Sequence, residues 1–385
     1  MTFHTRPRKG FALAVAIVAI VLIGLLIAGS FFGSTQEYRS GRNALYQERA
    51  LAAAEYGQTL VLSEWNSANA LAMGKGQVVT RTVTVQDGAI ASIDLTKLNM
   101  LTYSVVSEGR VAAGTDMDAR RRTGMLIRLD IPEMRFPGAV TTSSSTNVTG
   151  TGTISGADAN PPAWDCDPAG PNRAGIVNDN AADVTGSGTC SGMTCVSGDP
   201  KVMEDPLAGD PDTYDEFGGI SYDSLTKLAT ITINVSGTTT LTGIGPSLTG
   251  GACNTSDPKN WGDVNRASPA GPCENYFPII HAKGPGLLEL KNGKGQGLLL
   301  VDGNLKLTGL FEFYGPIIVK GNFSTDATGN KVFGGVMAMN EGCVTSPCNS
   351  ISGNAHIQYS RCALLSTLMM HARPILATRA WADMF

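Results

Sequence analysis

The chain has 385 residues, a formal net charge of −4, only 16% charged residues and 46 glycines. That length allows two domains, or one elongated domain with insertions. The lack of any dense basic stripe gives no reason to expect a nucleic-acid partner, and low charge with many Gly, Ser and Thr points to a β-rich extracytoplasmic protein.

The N-terminus carries the strongest local signal. A polar leader with Arg6, Arg8 and Lys9 ends at Gly10, and Phe11 to Phe32 then runs without a single charge. As a helix this run would span about 33 Å, enough to cross a bilayer core. It is longer than the apolar core of a cleaved secretory signal, so it is expected to stay with the protein. The positive-inside rule places the leader in the cytoplasm, although Arg39, Arg42 and Arg49 follow on the other side. From Gln36 to about Trp65 there is no proline and good helix formers abound, which predicts one continuous rod of roughly 80 Å. Leu45, Ala52, Tyr56 and Leu60 recur near one- or two-turn spacing and are expected to face a folded body.

Residues 77 to 135 read as a small mixed α/β stretch. Gln77 to Val85 alternates and is β-branched, Asp87-Gly88 is a turn signal, and Met125 to Ile131 predicts another strand. The run Arg120-Arg121-Arg122 reads as a solvated loop or, alternatively, a contact for an anionic surface. From Pro137 to about Pro285 the composition turns irregular and rich in Gly, Pro, Asp, Ser and Thr. Within it, Asp210 to Glu216 is acidic and is either a solvated loop or a site for Ca²⁺, without the spacing of an EF-hand.

All eight cysteines lie beyond the apolar helix. Disulfides in an oxidising compartment and metal ligation are both available to them. The lack of any C-x-x-C pair and the presence of only four histidines (His4, His281, His356, His371) favour disulfides. Proximity nominates Cys190 with Cys195, Cys343 with Cys348, and Cys253 with Cys273, while the connectivity of the whole set stays open.

The most regular pattern falls near the C-terminus, with glycines at 297, 303, 309, 315 and 321. Two and four residues after the first four stand Leu299 and Val301, Leu305 and Leu307, Phe311 and Phe313, and Ile317 and Val319. A period of two puts each pair on one strand face, and glycine permits the bend into the next short strand. Repeated short strands joined by bends predict a β-solenoid. Gly237 with Gly243, and Gly150 with Gly156, repeat the spacing more weakly. Asp302, Thr308, Tyr314 and Lys320 stand where a left-handed hexapeptide helix has aliphatic residues. A right-handed or irregular β-helix is therefore expected, with an antiparallel β-roll as the alternative. Lys294, Lys306 and Lys320 are expected to keep an outer strand face soluble. After Cys362, apolar residues at 364, 365, 368 and 369 predict a short amphipathic helix that Pro374 ends. With the apolar tail Trp381, Met384 and Phe385 it reads as a cap on the solenoid edge, or as a second membrane contact too short to span.

Chemistry is sparse. Asp302 and Glu312 are the carboxylates of the glycine-spaced region, with no second pair, and no G-x-S-x-G, H-E-x-x-H or Walker loop is present. No enzyme activity, metal or cofactor is expected.

Arg8-Lys9-Gly10-Phe11-Ala12-Leu13, followed by an apolar helix with an amphipathic extension, resembles the type III prepilin signal of PilX-type minor type IV pilins. The segments 297–309, 311–323 and 351–364 are similar to the body of such proteins. The resemblance implies cleavage after Gly10 by prepilin peptidase, N-methylation of Phe11, and polymerisation with other pilins through the apolar helix. It implies placement in the inner membrane, with the C-terminal body periplasmic or in a surface filament. The fifth position of the mature chain would be Val15, where major pilins carry glutamate; this departure is similar to minor pseudopilins that sit at a tip.

The expected fold is α+β: a long N-terminal transmembrane helix, then a β-rich body with a solenoid and a short capping helix. The expected segments are a 1–10 leader, an 11–72 pilin-like helix with 11–32 in the membrane, a 73–136 α/β region, a 137–285 β and loop insertion, a 286–361 solenoid and a 362–385 cap. A membrane-anchored β-helix binding module that never polymerises is the alternative to a pilus component.

Overall fold

The computed structural model describes residues 11–111, 118–132, 134–266, 271–326, 329–369 and 372–384. Helix α1, Phe11–Ser63, is unbroken for 53 residues. From Ala12 to Ala28 it is built of Ala, Val, Ile and Leu apart from Gly24, and the charged second half keeps strong helix formers. Helix α2, Ser67–Ala72, follows a break capped by the Asn66 side chain, so the expected 11–72 helix is two helices.

The expected α/β region is instead an antiparallel sheet. Strands β1 (Val78–Thr84), β2 (Ile90–Lys97), β3 (Thr102–Val111) and β4 (Ala119–Asp130) pair in sequence order. The predicted turn lies between β1 and β2, where Asp87 and Gly88 both have positive φ. The Arg120–Arg122 run is not a loop. It lies in β4, where period-two alternation exposes Arg120 and Arg122 and turns Arg121 toward the other face. Arg122 bonds Glu108 across the strands at 2.6 Å.

The expected C-terminal cap is also corrected. Its helix ends at Met369, and Arg373–Met384 forms a fifth strand antiparallel to β4, with Ile127 opposite Leu376. Backbone pairing along β4 outweighs the apolar content of the tail, since an unpaired strand edge is itself a liability. Phe385 lies outside the described residues.

The remaining body is one curled sheet of 17 strands among the described residues. Every pairing within it is parallel, which rules out the antiparallel roll. Three stacks of inward side chains run through it. One is Leu299, Ile317, Val336, Val140 and Ile176. A second is Leu288, Leu305 and Phe323, and a third is Phe313, Val332, Ile357 and Ile154. The eight apolar residues of the glycine-spaced pattern are all at most 1% exposed.

Glycine at the bends is required by approach as well as by conformation. A Cβ on Gly315 (φ +142°) would sit 2.1 Å from the Gly297 carbonyl, and one on Gly334 (φ +145°) 2.2 Å from that of Gly315. At another bend asparagines stack: Asn304 accepts from the Asn322 amide at 2.8 Å, and Asn340 donates to Asn349 at 2.7 Å. Buried amides of this kind satisfy backbone groups where the strand turns.

The segment 137–285 does not interrupt this sheet. Strands Gly138–Thr142 and Thr153–Ser155 extend it beyond 331–359, with Val140 paired to Val336. Strands Ile231–Asn234 and Thr238–Ile244 extend the opposite end, pairing with 280–283 and 287–293. Gly237 precedes the strand Thr238–Ile244, and Gly150 and Gly156 flank Thr153–Ser155.

Candidate functional site

Helix α1 is the feature that needs a partner. Its apolar part is fully exposed, with Phe11 at 77% and Phe31 at 76%, and none of its most apolar stretch is buried in the fold. By length and composition it can cross a membrane. A continuous apolar surface this large marks a membrane or protein contact.

The far end of α1 is seated on the antiparallel sheet. Sequence periodicity nominates Leu45, Ala52, Tyr56 and Leu60 for that face; Leu60 does pack against the core under the sheet, and the structure corrects the others. Leu45 and Tyr56 are about half exposed, while Ala50, Ala53, Ala54 and Gly57 are buried at i, i+3, i+4 and i+7. Small residues win because the backbones come very close. A Cβ on Gly57 would lie 2.4 Å from Ser107 Oγ and 2.9 Å from Ile93 Cγ1. A Cβ on Gly109 of β3 would lie 1.9 Å from the Ala50 carbonyl oxygen. A larger face such as Leu45–Tyr56 cannot enter this gap, so it turns outward. Gln58 Nε2, Ser107 Oγ and Thr123 Oγ1 are buried here without a hydrogen-bond partner among the described residues, so the seat holds by packing. Between seat and apolar run, Arg42 donates to the Tyr46 hydroxyl at 2.9 Å and lies over the rings of Tyr38 and Tyr46.

Gly10, where processing is expected, lies outside the described residues, and Phe11 begins α1. Val15 is 51% exposed on the helix.

The eight cysteines form four disulfides: Cys190–Cys195, Cys253–Cys273, Cys343–Cys348 and Cys166–Cys362. The fourth closes 196 residues and lies in the core shared by the two sheets, with Trp164, Phe277 and Tyr314. Nothing in local spacing marks it. Trp164 stacks on Tyr314 at 5.6 Å, and Tyr314 on Phe333 at 5.0 Å, continuing that core.

Asp302 and Glu312 do not converge. Glu312 is held by Lys294 and Lys331, each at 3.3 Å. Asp302 gathers a half-buried cluster that sequence reasoning missed. Its Oδ1 accepts from the Tyr222 hydroxyl at 3.0 Å and contacts His281 Nε2 at 2.8 Å, and its Oδ2 accepts from the Gly284 amide at 3.1 Å. Burial, reinforced by the Asp302 charge, pushes the Tyr222 hydroxyl far above the usual phenol range. Lys320 lies 4.6 Å above the Tyr222 ring and pairs with Asp215. The acidic stretch therefore meets the sheet through Asp215, and no group of three or more metal-ligating side chains occurs among the described residues. Lys306 pairs with Asp326 at 3.1 Å, so the lysines expected on an outer face are engaged in ion pairs.

This cluster fastens the 210–228 segment to the sheet. Asp302→Ala should leave the Tyr222 hydroxyl and the Gly284 amide unpaired and reduce stability by about 2 kcal/mol. Urea titration of the full chain would read this as a lower midpoint at constant slope, and an unchanged midpoint would refute it.

No protein-family model matches this sequence, and no curated protein matches it. Among solved structures, the competence-associated pilin ComZ from Thermus thermophilus aligns with 14% identity and a TM-score of 0.27, over 88% of this chain and 98% of that one. A TM-score at that level carries no argument about fold or function.

Proposed function

We propose that the chain is a minor type IV pilin-like structural component, of the PilX type, that inserts in the inner membrane through α1 and joins a pilus or pseudopilus by packing that helix against other pilins. The observation that carries this is α1 itself: 53 residues, apolar and exposed at one end, seated on the body only from Tyr46 onward. A helix needed only as an anchor has no use for the exposed polar span between the bilayer and the seat. Four disulfides suit an oxidising compartment, which supports a body outside the cytoplasm, periplasmic or on a filament. We read the curled sheet as a β-solenoid that serves a structural and not a catalytic role, because Asp302 and Glu312 are both tied up in fixed contacts. Prepilin peptidase would cleave after Gly10, and Phe11 would become the methylated mature end.

Mass spectrometry of the N-terminal peptide from native membranes, with and without prepilin peptidase, tests this reading. A mature terminus at methylated Phe11, lost without the peptidase, is the expected result. An intact leader in both samples overturns it, leaving a membrane-anchored binding module.

A further inference from the structure

A cleft of about 1140 Å³ opens where the two sheets meet. Its walls come from the end of β4, the 131–137 connection, the strand Ile220–Ser221, the helix Arg361–Met369 and the start of the C-terminal strand. Among its described lining residues are five arginines, Arg128, Arg135, Arg173, Arg361 and Arg373, with no lysine, and Asp130 is the sole carboxylate. All five arginines are exposed. In a chain of net charge −4, this is a strong local reversal of sign. Arg128 and Arg373 form no ion pair among the described residues, whereas Arg361 lies 3.8 Å from Asp158. The floor beneath is apolar: Leu225, Ile279, Leu298 and Leu368.

We propose that this cleft binds a free anionic amphiphile, a single acyl chain ending in a carboxylate. The two linings select it jointly. Guanidinium groups match a carboxylate with two donors in one plane, which lysine does not offer. A small inorganic anion would leave the apolar floor unused, and a neutral apolar ligand would leave Arg128 and Arg373 without a counter-charge. The volume slightly exceeds that of pockets for drug-sized ligands, which suits an extended chain. A lipid still embedded in the bilayer is a poor occupant, because the seat of the body begins at Tyr46, about 21 Å along α1 from Phe32. Binding would bridge the antiparallel and curled sheets. The inference does not depend on whether the chain joins a filament.

The test is photolabelling of the full chain in phosphatidylcholine nanodiscs with diazirine-bearing dodecanoic acid, read by peptide mapping. Saturable labelling of peptides holding Ile220–Leu228 and Leu364–Leu368 is expected. The matched dodecanol probe should label them at least about tenfold less well, and Arg128→Gln/Arg373→Gln should raise half-saturation by about tenfold, since charge-assisted hydrogen bonds are lost. Both side chains are exposed, so an unchanged unfolding midpoint of the variant verifies that the fold is intact. Labelling confined to α1, equal labelling by dodecanol, or an unchanged half-saturation in the variant overturns the proposal. Labelling by a diazirine phosphatidylglycerol but not by the free acid would overturn it too, assigning the cleft to a bilayer lipid.

Discussion

Gly109→Ala should unseat the long helix from the body. The added methyl would stand 1.9 Å from the Ala50 carbonyl oxygen and 2.6 Å from the Ala54 nitrogen. Both are backbone atoms inside a helix, so no rotamer change relieves the contact. The helix must rise by more than an ångström, and that opens a gap above Ala53, Ala54 and Gly57, which are buried on the same face. Overpacking of this kind costs about 3 kcal/mol, the upper part of its usual range. The polar groups already unpaired in the seat leave little reserve there. Gly41→Ala on the same helix provides the contrast. No atom lies within 4 Å of a Cβ at that position, so the change should be neutral or stabilise by up to about 1 kcal/mol through helix propensity. Limited proteolysis of the full chain in nanodiscs should then show early cleavage between 44 and 63 in the Gly109 variant only. Equal protection of the two variants would refute the close seat.

Removing Cys166–Cys362 should be the most damaging loss among the four disulfides. The pair closes a span of 196 residues, against 20 for Cys253–Cys273 and 5 for each of the other two. Chain-entropy reasoning assigns about 5 kcal/mol to the longest loop and about 2 kcal/mol to the shortest. Its position adds to the entropy. Cys362 is 4% exposed and shares a core with Trp164, Phe277 and Tyr314, at the junction of the antiparallel and curled sheets. Cys166→Ser/Cys362→Ser therefore loosens how the two sheets are joined, whereas Cys190→Ser/Cys195→Ser relaxes one turn. Denaturant unfolding under oxidising conditions should rank the double serine variants in that order. A Cys166/Cys362 variant as stable as the Cys190/Cys195 variant would show that the non-covalent core alone holds the junction.

Reading the chain from its residues alone succeeds where the signal is local. The apolar run from Phe11 to Phe32 dictates an exposed helix, because no stretch of polar sequence is there to interrupt it. The period-two pairs from Leu299 to Val319 dictate an inward face, because successive side chains on a strand must point to opposite sides. Nearness in sequence likewise brings together Cys190 with Cys195 and Cys343 with Cys348.

It fails where close approach or long-range pairing decides. The helix face on the sheet is the small one, Ala50 to Gly57, because the distance to β3 leaves no room for Leu45 or Tyr56; hydrophobic periodicity weighs apolar character and not backbone clearance. The irregular composition after Pro137 hides strands that complete the curled sheet, because their hydrogen bonds run to 331–359 and 279–296 and not to neighbours in sequence. The tail from Arg373 becomes a strand because β4 offers it an open edge. Tyr222, His281 and Asp302 meet across stretches of more than twenty residues, as do Cys166 and Cys362. The sequence by itself thus determined the long apolar helix, the inward side chains of the glycine-spaced strands and where the chain can enter a membrane, since these follow from local covalent geometry and hydropathy. Tertiary structure alone decided which faces touch, which ends of the sheet each segment extends and which side chains meet, since these depend on register and clearance between parts far apart in the chain.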